Sequence, residues 1–198
     1  AGEHPYLEKK GVAAFGLRQD QGNLIVRLRN VGGELRGIQA IGPDGQKSFD
    51  SGMEKTGNFH LIGGDKDLSQ SEIVLCEGYA TGASLYMASQ KPVAVAFDAG
   101  NLEPVAQKIR ERYPQAQITI CADNDHAMKQ DGRVNNVGVE KAEKAAKSVG
   151  GRVIVPTFTK EETARGLTDF NDLHQSRGLA AVREQLGIRE KSKEFERR

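Results

Sequence analysis

Five carboxylates in this sequence have the types and spacing to do chemistry together. Glu77 directly follows the apolar run IVLC (residues 73–76) and is trailed by Gly78, and Asp123 and Asp125 end the run ITICA (residues 118–122) as part of Ala-Asp-Asn-Asp. Two carboxylates at a spacing of two, on a chain that is turning away from a strand, can converge on one cation. Mg²⁺ prefers a few hard oxygen ligands and keeps several waters, which leaves room for a phosphate. A further pair, Asp169 and Asp172 in Thr-Asp-Phe-Asn-Asp, follows a later apolar run and can reach the same edge. Any one of these acids alone suits a helix cap or a turn. Together they repel, and a bound cation is the usual remedy.

The elements around them indicate why they should meet. Four apolar runs (residues 73–76, 93–97, 118–122 and 153–155) alternate with three helical patterns (residues 80–89, 102–113 and 139–149). Runs apolar on both faces are the mark of a parallel sheet covered by helices on each side. In such sheets ligands bind at the carboxyl ends of the strands, where the strand order reverses. Asn101 is expected to cap the second helix, with Pro104 in its first turn, and Gly150 to end the third. Before this region the segment LIVRLR (residues 24–29) alternates apolar and basic residues, as a half-buried strand does. Residues 35–41 and 59–62 read as further strands between Gly- and Pro-rich turns, which together make a small antiparallel β region. Residues 179–186 suggest a short amphipathic helix, and the polar residues 189–198 a solvated helix or linker. The expected division is 1–70, a β-rich front unit; 71–160, the α/β unit; and 161–198, an acidic segment with a helical tail.

The stretch from Ile73 to Tyr79 (IVLCEGY) and the stretch Ala122-Asp123-Asn124-Asp125 resemble the two signature motifs of the Toprim domain, shared by bacterial-type primases, topoisomerases and certain nucleases. More of the chain is similar to primases of plasmid-transfer and satellite-phage origin: Pro5-Tyr6-Leu7 with Lys9-Lys10-Gly11, the segments GIQAI and PDGQKSF (residues 37–41 and 43–49), FDAGNL (residues 97–102) and Asp169-Phe170-Asn171-Asp172. The resemblance covers roughly residues 5 to 175. It implies a Toprim α/β fold preceded by a small basic β subdomain, and the metal-dependent synthesis of short primers from NTPs on single-stranded DNA in plasmid or phage replication or conjugative transfer. It makes Glu77, Asp123 and Asp125 catalytic residues and ligands of Mg²⁺ or Mn²⁺, with Asp169 and Asp172 as further ligands. Glu77 either binds metal or shuttles a proton. The implied partners are a template strand, NTPs, and a helicase, a relaxase or other domains of a larger protein. There are departures. Thr81 stands where cellular primases carry an Asp four residues after the Glu, and Asn171 stands at the second position of the third acidic motif, where Asp172 is the substitute. No zinc-binding module is expected in this fragment, and there is no phosphate-binding loop motif of a helicase.

Arg27 and Arg29 share one face of their strand, and with Lys47 and Lys55 they are expected to face the acidic edge and grip phosphates; the alternative is an ordinary solvated strand face. Asp98 and Asn101, ending the second run, either cap a helix or line the nucleotide site. His4, His60, His126 and His174 have no ligand spacing, which points to surface or core roles, and Tyr79 suits the core better than a stacking role. Two rival functions remain: a Toprim-type metal-dependent nuclease with the same ligands, and a non-catalytic single-strand-binding module. The net charge of the 198 residues is only +1, so any basic surface must be local. Cys76 and Cys121 lie inside apolar runs, as buried strand thiols do. No apolar run approaches a membrane span and no signal segment opens the chain, so the cytoplasm is the expected compartment.

Overall fold

The computed structural model describes residues 3–64, 68–125, 129–130, 133–134 and 136–188. His126 and residues 189–198, for which expectations were stated above, lie outside the described residues.

The chain opens with a short helix, α1 (Pro5–Lys10), capped by the His4 ring. Four strands follow: β1 (Arg18–Asp20), β2 (Asn23–Arg29), β3 (Leu35–Ile41) and β4 (Lys47–Phe49), paired antiparallel in that order. The two-residue link between β1 and β2 puts both Gln21 (φ 46°) and Gly22 (φ 79°) in the left-handed region, the tight turn whose twist suits a hairpin. Along β2 the period of two is strict: Leu24, Val26 and Leu28 are fully buried, and Ile25, Arg27 and Arg29 between them are half-buried.

The second sheet contains β5 (His60–Ile62), β6 (Glu72–Cys76), β7 (Val93–Val95), β8 (Gln117–Cys121) and, after the small hairpin of β9 (Lys129–Gln130) and β10 (Arg133–Val134), β11 (Arg152–Ile154). Its order is β11-β8-β6-β7-β5. The four strands foreseen from the apolar runs are mutually parallel, and β5 is antiparallel at the edge beside β7. Residues 59–62 thus leave the front sheet, to which the sequence assigned them, and join the central one. Phe59 keeps a two-bond bridge to Arg29 that ties the sheets together. The chain passes from β6 to β7 on one side and places β8 on the other, so the order reverses between β6 and β8.

Both faces are covered. Helix α2 (Tyr79–Ser89) packs against α6 (Phe170–Gln185) on one, and α3 (Leu102–Arg112) against α4 (Val137–Val149) on the other. Helix α6 is longer than expected: it begins at Phe170 and is broken at Gly178 (φ 78°), so the foreseen tail helix is only its second half. A short helix not foreseen at all, α5 (Lys160–Ala164), precedes it behind a Thr159/Glu162 capping box. The front sheet has no separate core. Leu24, Val26 and Ile41 share one buried cluster with Val74, Cys76 and Val95 of the central sheet and with Phe170 and Leu173 of α6.

Candidate active site

The crevice at the carboxyl ends of β6 and β8 is a cavity of about 410 Å³, whose lining includes the acids Glu77, Asp123 and Asp169 and the lysines Lys9, Lys10 and Lys47. Glu77 and Asp123 reach it because each is the first or second residue beyond its strand, where the pleat ends and the side chain is free to turn. Asp169 comes from elsewhere, as the N-cap of α6, where its carboxylate accepts the Asp172 N–H at 2.8 Å.

These acids share a poor environment for charge. Burial first, then Asp125, Asp98 and Asp169, push the Glu77 carboxyl up to about 7, against a hydrogen bond from the Ala99 backbone. Burial, then Glu77, Asp169, Asp125 and Asp172, push Asp123 up to about 9. Asp169 is raised as well, by burial and by Asp172, with Lys10 and a hydrogen bond from Thr81 working against the rise. Glu77 Oε1 and Asp123 Oδ1 are buried without any hydrogen-bond partner. A buried carboxylate oxygen left unpaired is costly and calls for a missing partner. Among the described residues, no three His, Cys, Asp or Glu side chains stand close enough together to form a ready-made metal cage. Two carboxylates lining one cavity nonetheless suit a cation such as Mg²⁺, which takes one or two carboxylates and completes its shell with waters and substrate phosphates. The residues present therefore fit a divalent ion.

The other foreseen residues are distributed unevenly. Asp125 is directed to the start of α4, its Oδ2 accepting the Gly138 N–H at 3.3 Å while its own N–H donates to Asn136. Asp172 does not line the cavity: its Oδ2 accepts the N–H groups of Thr168 (2.9 Å) and Asp169 (3.3 Å), completing a capping box. Asn171 is no stand-in for an acid either. It is fully buried and donates to Lys10 O and Ser84 Oγ, joining α6 to α1 and α2. Thr81, the other departure, lines the cavity and donates to Asp169 in place of a further negative charge.

Among the cations only Lys47 reaches the cavity as expected; its Nζ lies 3.9 Å from where a Cβ on Gly78 would sit. Burial and Lys10 hold its ammonium pKa below the ordinary range, partly offset by Asp169 and Asp123. Arg27 and Arg29 do share a face, but they line a different cavity and do not face the acids. Lys55 is paired with Asp98 and sits over the Phe49 ring, so each neutralises the other. Asn101 caps nothing with its side chain. It accepts from Gly57 N and donates to the carbonyls of Lys55, Asn58 and Ala96, stapling a loop of the front unit to the end of β7. The cap is made by Asp98, on the short 3₁₀ turn Ala99–Asn101 that precedes α3. Sequence reasoning missed Tyr6, Lys9 and Lys10 as part of the site; the only signal was two adjacent lysines before a glycine.

His4, His60 and His174 take the structural roles expected of them: a cap, ring-nitrogen contacts within hydrogen-bonding distance of the Arg27 and Phe15 carbonyls, and a hydrogen bond to Ser84. Tyr79 is a core residue whose hydroxyl donates to Ala13 O and accepts from Phe15 N.

The model of the family described as the Toprim domain matches residues 72–180, the span from β6 into α6. The chain belongs to the Toprim family. A DNA primase TraC of Escherichia coli is 37% identical over 163 residues, which is 80% of this chain and 11% of that protein. This Toprim chain thus spans about a tenth of that relative's length. Among solved structures it is similar to the primase fragment of the bacteriophage T7 primase-helicase protein, with a TM-score of 0.62 and 17% identity over 91% of this chain and 69% of that one. It is also similar to the Escherichia coli primase catalytic core, with a TM-score of 0.58 and 15% identity over 92% and 71% respectively. These likenesses confirm the fold: a Toprim sheet behind an N-terminal antiparallel sheet.

Proposed function

We propose that this chain is the catalytic core of a DNA primase, a nucleotidyltransferase that builds short primers from NTPs on single-stranded DNA in plasmid or phage replication or conjugative transfer. One observation supports this above the rest. A single cavity is lined both by Glu77 and Asp123, each of which has a buried carboxylate oxygen without a hydrogen-bond partner, and by Lys9, Lys10 and Lys47. Polyanion and divalent cation are the two species that such a mixed lining accommodates together.

In this reading Glu77 and Asp123 hold Mg²⁺ or Mn²⁺, with Asp169 beside them and Asp125 shaping the loop. Bound there, such an ion would supply positive charge against the phosphoryl oxygens of the substrate. The lysines bind the phosphates of triphosphate and template. Glu77, titrating at about 7, is poised to accept the hydroxyl proton near neutral pH if it is not itself a ligand. The larger polypeptide would supply helicase, relaxase or template-loading parts, and the cytoplasm is the compartment in which this role places it. No helix among the described residues is long and apolar enough to cross a membrane.

The test supplies single-stranded template, labelled ribonucleotides and Mg²⁺ or Mn²⁺, with and without an offered primer, to the chain and to its Asp123→Ala variant. Labelled oligomers or extended primers from the first only are expected. Shortened template would make it a nuclease, and strand binding indifferent to the substitution would make it a passive module.

A further inference from the structure

The arginines of β2 have no role at the acid cavity, yet their surroundings are those of a ligand site. Arg27 and Arg29 line a separate cavity of about 160 Å³, which Phe59, Leu68, Ile109 and Tyr113 also line. Being two apart on one strand, their stems emerge on the same face about 6.8 Å apart. Among the described residues no carboxylate lines this cavity, and neither guanidinium has an ion-pair partner. Their hydrogen bonds go to backbone carbonyls alone: Arg27 Nη2 to Gly16 O at 3.4 Å and Arg29 Nη1 to Gly33 O at 2.6 Å. Arg27 Nε is buried with no partner at all. A third guanidinium, that of Arg112, lies over the Tyr113 ring, 5.4 Å from its centroid.

We propose that this cavity is a second nucleotide site, separate from the acid cavity, in which Arg27 and Arg29 take a phosphate and the apolar residues take part of the attached nucleoside. Guanidinium forks match phosphate oxygens in pairs, and Arg27 Nε is a donor waiting for such an acceptor. Much of the remaining lining is apolar and aromatic, which an inorganic anion would not use and a nucleoside would. The volume lies below the ~300–1,000 Å³ of a site for a drug-sized ligand, so the cavity admits part of one nucleotide and no extended strand. Nothing in this assignment depends on the acid cavity being a primase centre.

Equilibrium dialysis of radiolabelled AMP against the full chain, in EDTA, is the test. Saturable binding is expected that weakens as salt is raised and is at least fivefold tighter than that of inorganic phosphate measured by competition. Arg27→Gln and Arg29→Gln should each weaken it about tenfold, Arg29→Lys should retain most of it, and Asp123→Asn should leave it unchanged. Thermal melts check that the variants are folded; Arg29, being partly exposed, decides the matter if the Arg27 variant is not. Wild-type binding by both glutamine variants, loss of binding in Asp123→Asn, or equal affinity for AMP and inorganic phosphate would each overturn the proposal. Displacement by a 5′-phosphorylated single strand would assign the ligand to a strand end, and its absence to a free nucleotide; either outcome supports the site.

Discussion

Strand β6 has an acid at each end, and the two sit in opposite surroundings. At the amino end Glu72 is met by Lys91 (2.6 Å), Arg152 (2.8 Å) and the Thr119 hydroxyl (2.7 Å). Burial opposes its ionisation, but these hydrogen bonds outweigh it and hold the carboxyl down to about 2. Just past the carboxyl end, Glu77 has one oxygen with no partner and is pushed up to about 7. The linkage signs follow. For Glu72 the folded pKa lies below the ordinary 4.5, so its contribution is present above 4.5 and disappears as pH falls through about 2. Glu72→Gln should therefore lower the thermal midpoint at pH 7, with the gap to wild type closing as pH approaches 2. For Asp123 the sign is reversed. Its folded pKa of about 9 stands above the ordinary 3.8, so a penalty absent below 3.8 builds as pH climbs towards 9. Metal-free Asp123→Asn should accordingly melt higher than wild type at pH 8, by roughly 2–4 °C for each kcal/mol of relieved repulsion. That advantage should vanish near pH 4. Saturating Mg²⁺ should raise the wild-type midpoint and leave the variant's unchanged. Differential scanning calorimetry with EDTA or Mg²⁺ reads all three.

At the scale of elements, the loop after β8 is held in shape by its neighbours. The N-terminal turn of α4 comes so close that a Cβ on Gly138 would lie 2.4 Å from Asp123 O and 3.1 Å from Asp125 Oδ2. Only a glycine admits that approach, since the nearest atom is backbone and cannot swing aside. Gly138→Ala should thus move the Asp123–Asp125 segment and cut the proposed primer synthesis at least tenfold, while far-UV circular dichroism stays that of the wild type. Asn101 does a similar task between elements: losing its four bonds to backbone groups in Asn101→Ala should cost about 1–3 kcal/mol in urea unfolding. The parallel strands were legible in the sequence because a strand buried on both faces must be apolar throughout, as 73–76 and 118–122 are. The acids were legible because they interrupt those runs at one end. Strand β5 was legible as a strand but its sheet was not, since three residues including a buried histidine carry no period that says which partner they join, and the first half of α6 was hidden under a stretch that reads as an acidic motif. Asp172 and Asn171 illustrate the cost of that confusion. The same short polar side chains that ligate metals also cap helices and bridge cores, and only the three-dimensional neighbours separate the uses.

On the scale of the whole molecule, the boundary expected at residue 70 passes between β5 and β6, two strands of one sheet. The residues lining the acid cavity come both from the front of the chain, Lys9, Lys10 and Lys47 among them, and from the Toprim part. The packing agrees with this division of labour. Leu24, Val26 and Ile41 are fully buried in the same cluster as Val74, Cys76 and Val95, so removing the front would bare the face of the central sheet that they cover. Strand β7 would lose β5 as well, become the edge of the sheet and present an unpaired ladder, which invites association. A fragment starting at residue 71 is therefore expected to show no cooperative thermal transition and to bind a hydrophobic dye such as ANS, whereas the full chain melts in one step. Supplying residues 1–70 in trans should restore neither the transition nor primer synthesis at micromolar concentration, because covalent continuity keeps β5 beside β7 at far higher effective concentration. A well-folded 71–198 fragment with its own sharp melt would show that the two parts are independent domains, and that the shared cluster contributes contact without interdependence.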